Sequence, residues 1–497
     1  MIQFEDVSFS YAGNNQEGLE PLNLTISDGE CILLCGRSGC GKTTFTRLIN
    51  GLIPYFFPGD LKGRVTVNGM VISETPMYQI AGQVGSVFQN PRTQFFNTDT
   101  DSEIAFGIEN AALPASELKR RVIQTEQDLN IEKLADRSIF ELSGGEKQKI
   151  AFASVYAMNP NVYLLDEPSS NLDMDAIAEL KETLHLLKKQ GKTILVAEHR
   201  LYWLMDVIDR AFYFEQGRLE GIYSPGELMA FTPEQCASMG LRAIDLGKVK
   251  PQYTQVTSGS TTLELKNVTL SYKKQAILEQ LNLKATAGEV IAVVGHNGAG
   301  KTTFSRAICG LHKETAGEIL FNGMVQNRKA LMKQSYLVMQ DVNYELFAES
   351  VEKECIFGIK NPDTELAEAT LKELDLTPFR EWHPNTLSGG QKQRLVVAVS
   401  MVCGKEILIF DEPTSGLDFD NMLRVARLIG RLAKMGKIIF VATHDYEFVC
   451  QTCNRVLHLD SGEQKEDWEV CTENQEHLQR LFRLNAADVE ELPVYFK

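Results

Sequence analysis

The sequence predicts an α/β fold written twice in one chain: two tandem domains, each a mainly parallel sheet flanked by helices. Three observations predict it. A glycine-rich segment, Gly36-Arg37-Ser38-Gly39-Cys40-Gly41-Lys42-Thr43-Thr44, recurs as Gly295-His296-Asn297-Gly298-Ala299-Gly300-Lys301-Thr302-Thr303. Further segments recur in the same order: Leu142-Ser143-Gly144-Gly145 as Leu387-Ser388-Gly389-Gly390, Asp166-Glu167-Pro168 as Asp411-Glu412-Pro413, and His199 as His444. The spacings match as well, 23 residues from Ser143 to Asp166 and from Ser388 to Asp411, and 32 from Glu167 to His199 and from Glu412 to His444. Self-similarity in one order at one spacing marks a duplicated structural unit.

The elements follow a strand–helix rhythm. Residues 30–35 form an apolar run that ends in the glycine-rich turn, and 42–50 have helical character. Residues 162–165 are a short apolar run ending in carboxylates, 193–197 are another, and 176–189 carry a helical pattern between them. Continuous short apolar runs read as parallel strands buried on both faces. The expected boundaries are a first domain at 1–246, a linker at 247–261 whose centre is small and polar, and a second domain at 262–497 with a C-terminal extension. Residues 475–497 look helical, either a dimer-stabilising extension or a cover for the core. From lysine to serine the first copy spans 101 residues and the second 87, so about 14 extra residues are expected in surface loops of the first copy.

Composition removes several function classes. Hydrophobic residues make up 43% and charged residues 23%, which excludes a disordered or fibrous chain. The net charge of -16 repels phosphate backbones, so no nucleic-acid partner is expected. No apolar run is long enough to span a bilayer, and the N-terminus lacks a signal peptide's features, so the chain is expected in the cytoplasm. Ten cysteines are too sparse for a disulfide scaffold. Cys450 and Cys453 have a metal-like spacing but no second ligand pair, so they read as helix or core thiols.

The duplicated motifs carry chemistry. Glycines before a helix turn backbone N–H groups and the helix dipole toward one point, which suits phosphate. Lys42 and Lys301 add a point charge there, and the Thr43 and Thr302 hydroxyls help hold Mg²⁺. Asp166 and Asp411, at the end of a buried strand, are further Mg²⁺ ligands, and Glu167 and Glu412 are general-base candidates. Ser143-Gly144-Gly145 and Ser388-Gly389-Gly390 offer a second anion-binding surface; read alone, each serine is also a helix N-cap, a reading the duplication argues against.

With these motifs in place, nearly the whole chain resembles a tandem ATP-binding-cassette (ABC) ATPase, the linker and the last 30 or so residues excepted. The resemblance implies two phosphate-loop NTPase domains, each with a helical subdomain bearing the Ser-Gly-Gly segment, paired head to tail within one chain. Each ATP would lie between one cassette's phosphate loop and the other's Ser-Gly-Gly. Site one would join Lys42, Thr43, Gln89, Asp166, Glu167 and His199 to Ser388, Gly389 and Gly390. Site two would join Lys301, Thr302, Gln340, Asp411, Glu412 and His444 to Ser143, Gly144 and Gly145. By resemblance Gln89 and Gln340 reach Mg²⁺ and the attacking water, the histidines contact the γ-phosphate, and Tyr11 and Tyr272 stack on adenine; a core aromatic is the alternative for the tyrosines. Both copies keep the lysine, the Asp-Glu pair and the histidine, so two hydrolytic sites are expected. The departures are Glu146 against Gln391 and Asn171 against Gly416.

The stretch after each glutamine narrows the resemblance. Gln89 to Phe96 and then Glu103 to Asn110 align at a constant offset of 251 with Gln340 to Phe347 and Glu354 to Asn361. This is similar to the energy-coupling-factor ATPases of vitamin and metal importers. The resemblance implies a transmembrane coupling subunit and a substrate-binding membrane subunit as partners, with the chain peripheral on the cytoplasmic side of the membrane. Phe95, Phe96 and Phe347 are then contact residues or core aromatics, and the apolar insert at 53–58 is a second candidate surface. The alternatives are a fused ATPase of a sugar importer and a soluble ABC protein acting on ribosomes; the latter needs a longer, more basic linker.

Overall fold

A computed structural model describes residues 1–12, 18–110, 113–170, 172–252, 259–272, 275–339 and 342–484. The chain divides into two compact units, Met1–Ile244 and Asp245–Lys497. Each is described by itself.

In the first unit a six-stranded sheet runs in the order Arg218–Tyr223, Arg210–Glu215, Cys31–Gly36, Thr193–Ala197, Val162–Asp166, Val84–Val87. All neighbours are parallel except the edge strand Arg218–Tyr223. Ile32, Leu33, Leu34, Ile194, Leu195 and Val196 have no exposed surface, so both faces of the sheet are covered. Register places Asp166 opposite Ala197 and Gly36 opposite Phe214. The carboxylates and the phosphate loop therefore share the carboxyl edge, where α/β sheets bind ligands. The second unit repeats this with Ser335–Val338, Ile407–Asp411, Ile438–Ala442, Val290–Val294, Arg455–Asp460 and Glu463–Glu469, and Asp411 lies opposite Ala442.

A four-stranded antiparallel sheet, not foreseen from the motifs, completes the core of each unit. In the first it is Gly18–Ile26, Ile2–Tyr11, Gly59–Val67, Met70–Val71. Ile2, Phe4, Val7 and Phe9 are buried along Ile2–Tyr11, and Phe4 stacks on Phe45 of the phosphate-loop helix at 4.6 Å. In the second it is Gln275–Thr286, Thr262–Tyr272, Glu314–Phe321, Met324–Val325.

The helices Thr100–Glu109, Ala115–Asp128 and Gly144–Met158 have their own small core around Ile104, Ile108, Val122, Leu142 and Ile150. Val351–Ile356, Thr364–Glu373 and Gly389–Val402 pack together correspondingly in the second unit. The additional residues of the first copy do not lie simply in surface loops. They include the short helix Leu52–Tyr55, anchored by fully buried Ile53, and a longer counterpart of one helix, Ala115–Asp128 against Thr364–Glu373.

The first half of the expected linker is packed rather than loose. The Gln252 N–H donates to Cys450 O at 2.7 Å, and the Tyr446 hydroxyl donates to Val249 O at 3.3 Å. The polar tether residues 253–258 lie outside the described residues, as do 485–497 of the extension. The described part of the extension, Gln475–Leu481, covers its own unit: Leu478 is fully buried, and Phe482 meets Tyr446 edge-on at 5.6 Å. Cys450 and Cys453 are buried core thiols, and burial pushes Cys450 up to about 12. Among the described residues no helix is long and apolar enough to cross a membrane.

Candidate nucleotide site

The strand Cys31–Gly36 turns through the glycine-rich loop into the helix Lys42–Ile49. Gly36 has φ 136°, and a Cβ there would lie 2.2 Å from Phe214 O; at Gly295, φ 149°, it would lie 2.0 Å from Leu459 O. Only glycine fits either position. At Gly39 and Gly298 an added Cβ meets nothing within 4 Å, so the crown of each loop faces open space. Ser38 and Asn297 are exposed on that crown, whereas Cys40 and Ala299 turn inward.

The lysine amines occupy the middle of these loops. Lys42 Nζ donates to Gly36 O at 2.9 Å and Arg37 O at 3.0 Å; Lys301 Nζ donates to Gly295 O at 2.6 Å and His296 O at 3.0 Å. Each loop is tied to the neighbouring strand by its second residue: Arg37 pairs with Glu215 at 3.3 Å, and His296 with Asp460 at 2.8 Å. Gly41 and Gly300, both with φ near 100°, precede the helices at which Thr43, Thr44, Thr302 and Thr303 stand. Thr43 and Asp166 line one cavity of ≈ 260 Å³ together with Arg47, Phe57 and Phe88. In the second copy Thr302 Oγ1 donates to Asp411 Oδ2 at 3.4 Å.

Burial pushes the Asp166 and Asp411 carboxyls up, opposed by the loop lysines and by Arg47 or Arg306. These arginines were missed in the motif reading, yet each follows its lysine by five residues, a repeat that points to them. Glu167 and Glu412 have φ 46° and 50°, and their N–H groups donate to Ala197 O at 2.8 Å and Ala442 O at 2.9 Å. Side chains rarely adopt such a backbone, and both copies hold it at the residue that follows the strand-end aspartate. Glu167 Oε2 accepts from Gln89 Nε2 at 2.6 Å, and its Oε1 is 3.5 Å from His199 Nε2. Glu412 Oε1 is 3.7 Å from His444 Nε2. Burial raises Glu167 well above the ordinary range, aided by Asp166 and Glu198 and opposed by Lys42 and the Gln89 bond. Gln340 and Asn171 lie outside the described residues.

The Ser-Gly-Gly segments correct one argument. Ser143 and Ser388 are N-caps, each in a complete capping box: Ser143 Oγ accepts from Glu146 N at 3.3 Å and Ser388 Oγ from Gln391 N at 3.4 Å. The cap reading that duplication argued against is what the chain does, and it explains Glu146 and Gln391, both suited to close the box. Both serines, Gly144 and Gly389 remain exposed, and Gly145 and Gly390 follow as the next helical residues.

The two tyrosines differ. The Tyr11 ring meets Phe9 at 4.8 Å and Phe57 at 6.2 Å, and its hydroxyl bonds Thr44 Oγ1 at 3.1 Å and accepts from Arg47 at 3.0 Å. Tyr272 is 62% exposed.

A glycine cradle closed around a lysine, beside a buried strand that ends in an Asp-Glu pair, defines a nucleoside-triphosphatase. The chain belongs to the ABC transporter family, whose model matches residues 19–170 and 278–415, and as a member it binds and hydrolyses ATP. It is 49% identical over 485 residues to a Treponema denticola protein named as an ABC transporter ATP-binding protein, covering 96% of this chain and 99% of that one. A Methanosarcina mazei protein of the same description is 31% identical over 518 residues, covering 93% and 88%. In fold the chain is similar to a solved structure of ribosome-bound archaeal Pelota and ABCE1, with TM-score 0.67 at 19% identity, covering 94% of this chain and 79% of that one.

Proposed function

We propose that the chain is the ATP-hydrolysing subunit of an energy-coupling-factor-type importer, peripheral on the cytoplasmic side of the membrane. Its partners are a transmembrane coupling subunit and a substrate-binding membrane subunit. In this reading each ATP is completed by both cassettes, the phosphate loop of one and the Ser-Gly-Gly helix start of the other. Lys42 and Lys301 balance charge on the terminal phosphates. Glu167 and Glu412 take the proton of the attacking water, and the raised proton affinity of Glu167 suits it to that task. His199 and His444 orient the glutamates and the γ-phosphate, with Gln89 bonded to Glu167 and Gln340 taking the same role by resemblance. Mg²⁺ would be held by Thr43 and Asp166, with Gln89, and by Thr302 and Asp411, with Gln340; a buried carboxylate next to a threonine hydroxyl is a hard-oxygen donor set that fits it. When bound, the ion neutralises charge developing between the β- and γ-phosphates.

The observation that carries the transport half is a surface built twice. Phe96 is 73% exposed and Phe347 69%. Each sits on a loop pinned by a buried glutamate: Glu103 Oε2 accepts from Phe96 N at 3.0 Å and Asn97 N at 2.8 Å, and Glu354 Oε2 from Phe347 N at 2.8 Å and Ala348 N at 2.6 Å. Phe96 also stacks on Phe106 at 4.8 Å, while Phe95 packs into the helical core. Fixing an exposed aromatic in this way suits a docking contact. In the 53–58 insert, Phe56 is exposed while Ile53 is core. The test is co-purification from membranes. A Phe96→Asp/Phe347→Asp chain is expected to keep its ATPase activity and lose the membrane subunits; unchanged recovery of those subunits overturns the coupling role.

A further inference from the structure

We infer that Glu198 and Asp445 are positioning residues that lock the segment after each Asp-Glu pair to that copy's histidine, and that the locking carboxylate has changed sides of the histidine between the copies. This rests on the reading that Glu167, Glu412 and the two histidines serve hydrolysis.

In the first copy one buried carboxylate does all the work. Glu198 Oε1 accepts from His199 N at 2.8 Å and from Arg200 N at 3.1 Å, and Oε2 accepts from Ser169 N at 3.2 Å. Ser169 lies two residues after Glu167, so the bond ties the backbone carrying the general base to the backbone carrying its histidine. In the second copy the residue before the histidine is Thr443, which cannot span that gap. Thr443 Oγ1 keeps one task and accepts from Asp445 N at 3.1 Å. Asp445, on the far side of the histidine, takes over the tie to the segment after the glutamate: its Oδ2 accepts from the Thr414 hydroxyl at 2.8 Å, and its Oδ1 accepts from Phe448 N at 3.1 Å. Thr414 is the counterpart of Ser169, since each lies two residues after its glutamate.

All the participants are buried: Ser169, Glu198, Thr414, Thr443 and Asp445 are each at most 3% exposed. A buried carboxylate persists only where its bonds offset desolvation. The third member moves with the exchange. In the first copy, where the carboxylate reaches the Ser169 amide, the Ser169 hydroxyl has no partner among the described residues; in the second, Thr414 donates its hydroxyl. The buried Arg200 stands where Asp445 stands, and its Nη2 has no partner among the described residues. Two solutions of unlike chemistry arrive at nearly the same glutamate–histidine separation, 3.5 Å and 3.7 Å. That convergence indicates that the lock serves the spacing of the reactive pair and not packing alone.

The test grafts one solution onto the other in the full chain. Glu198→Thr is expected to lower kcat for ATP about tenfold per folded molecule with KM changed less than about twofold, because the reactive pair loses its spacing while the phosphate loop is untouched. The triple graft S169T/E198T/R200D, which imports the second copy's lock, is expected to return kcat to within about twofold of the parent. Glu198→Gln keeps the volume but can accept at one oxygen only, and is expected to fall between. The mirror change Asp445→Asn is expected to lower kcat in the same sense. Native kcat in Glu198→Gln, or a folded graft no better than Glu198→Thr, overturns the inference; if the graft does not fold, Glu198→Gln and Asp445→Asn decide. Separately, a Glu167→Gln/Glu412→Gln chain that still hydrolyses ATP overturns the underlying reading, whereas inactivity of that chain beside native kcat in the lock variants overturns the lock alone.

Discussion

The two copies of the site are alike where the backbone sets the geometry and differ in several of the side chains that support it. Both lysines are held by the same two carbonyls, both glutamates have φ near 50°, and both glutamate amides reach the alanine at the end of the adjacent strand. The supports diverge: Arg37 against His296, Glu198 against Thr443 and Asp445, Gln94 against Glu345, a packed Tyr11 against an exposed Tyr272. Reactive groups are thus conserved through strand ends and turns, which tolerate little change, while the surrounding hydrogen bonds are free to be rebuilt.

The strongest way to break this comparison is to remove the glutamates. Glu167→Gln/Glu412→Gln is expected to lower kcat by about 10²–10³ while ATP binding survives, because only the proton acceptor is lost. Single Glu167→Gln and Glu412→Gln chains are expected to lose comparable activity. A single variant with native turnover, measured by phosphate release, would mean that the matched geometry does not bring matched use.

A second effect should separate the glutamine loops. Gln94 Oε1 accepts from Phe88 N at 3.3 Å, and its Nε2 donates to Ser86 O at 3.3 Å and Ala151 O at 3.4 Å. At the matching place Glu345 Oε1 accepts from Met339 N at 2.6 Å, but Oε2 has no partner among the described residues, and burial pushes this carboxyl up to about 8, opposed by that bond and aided by Glu354. The folded chain keeps this proton up to about pH 8, whereas the unfolded chain releases it near the usual glutamate value of about 4.3. The group's contribution is complete below pH ~4.3 and is lost as pH rises to about 8, so it makes the second unit less stable across that window. Glu345→Gln installs the first copy's solution. It is expected to raise stability by up to about 4–5 kcal/mol at pH 8 and by about 1 kcal/mol at pH 5. Chemical denaturation at the two pH values checks this; an equal shift at both would show that Glu345 is not protonated in the fold.

The sequence made legible what is local or duplicated. Asp166, Glu167 and His199 stand at or just beyond strand ends with matched spacing, Lys42 opens a helix after a duplicated glycine-rich turn, and short apolar runs such as 162–165 announce buried parallel strands. The antiparallel sheet was not legible because its pairing is long-range, Ile2 with Val67, and no spacing rule reports that. The Ser143 cap is hidden from the duplication argument, because a structural role duplicates as well as a binding one. The Glu198–Asp445 exchange escaped because residue-by-residue matching rewards identity, and this compensation occurs across neighbouring positions. The value of Glu345 depends on burial, which its one-residue difference from Gln94 does not show.

The tyrosines give the smallest and sharpest contrast. Similar offsets from the lysines, 31 and 29 residues, suggest equal roles, but Tyr11 is engaged by Phe9, Phe57, Thr44 and Arg47, whereas Tyr272 stands 62% exposed. Removing the first ring loses packing and two hydrogen bonds to the phosphate-loop helix, so Tyr11→Ala is expected to cost about 2 kcal/mol of stability. Tyr272→Ala touches no such network and is expected to stay within about 0.5 kcal/mol. Nucleotide affinity should reverse the order. An exposed ring is free to stack on a base, so Tyr272→Ala is expected to weaken binding of a fluorescent ATP analogue about three- to tenfold, with stability unchanged. Tyr11→Phe tests the remaining link, keeping the ring and deleting the hydroxyl shared by Thr44 and Arg47; it is expected to recover most of the Tyr11→Ala loss. If Tyr11→Ala and Tyr272→Ala cost equal stability, the two tyrosines are equivalent after all, and the structural asymmetry between the copies stops at the histidines and the glutamine loops.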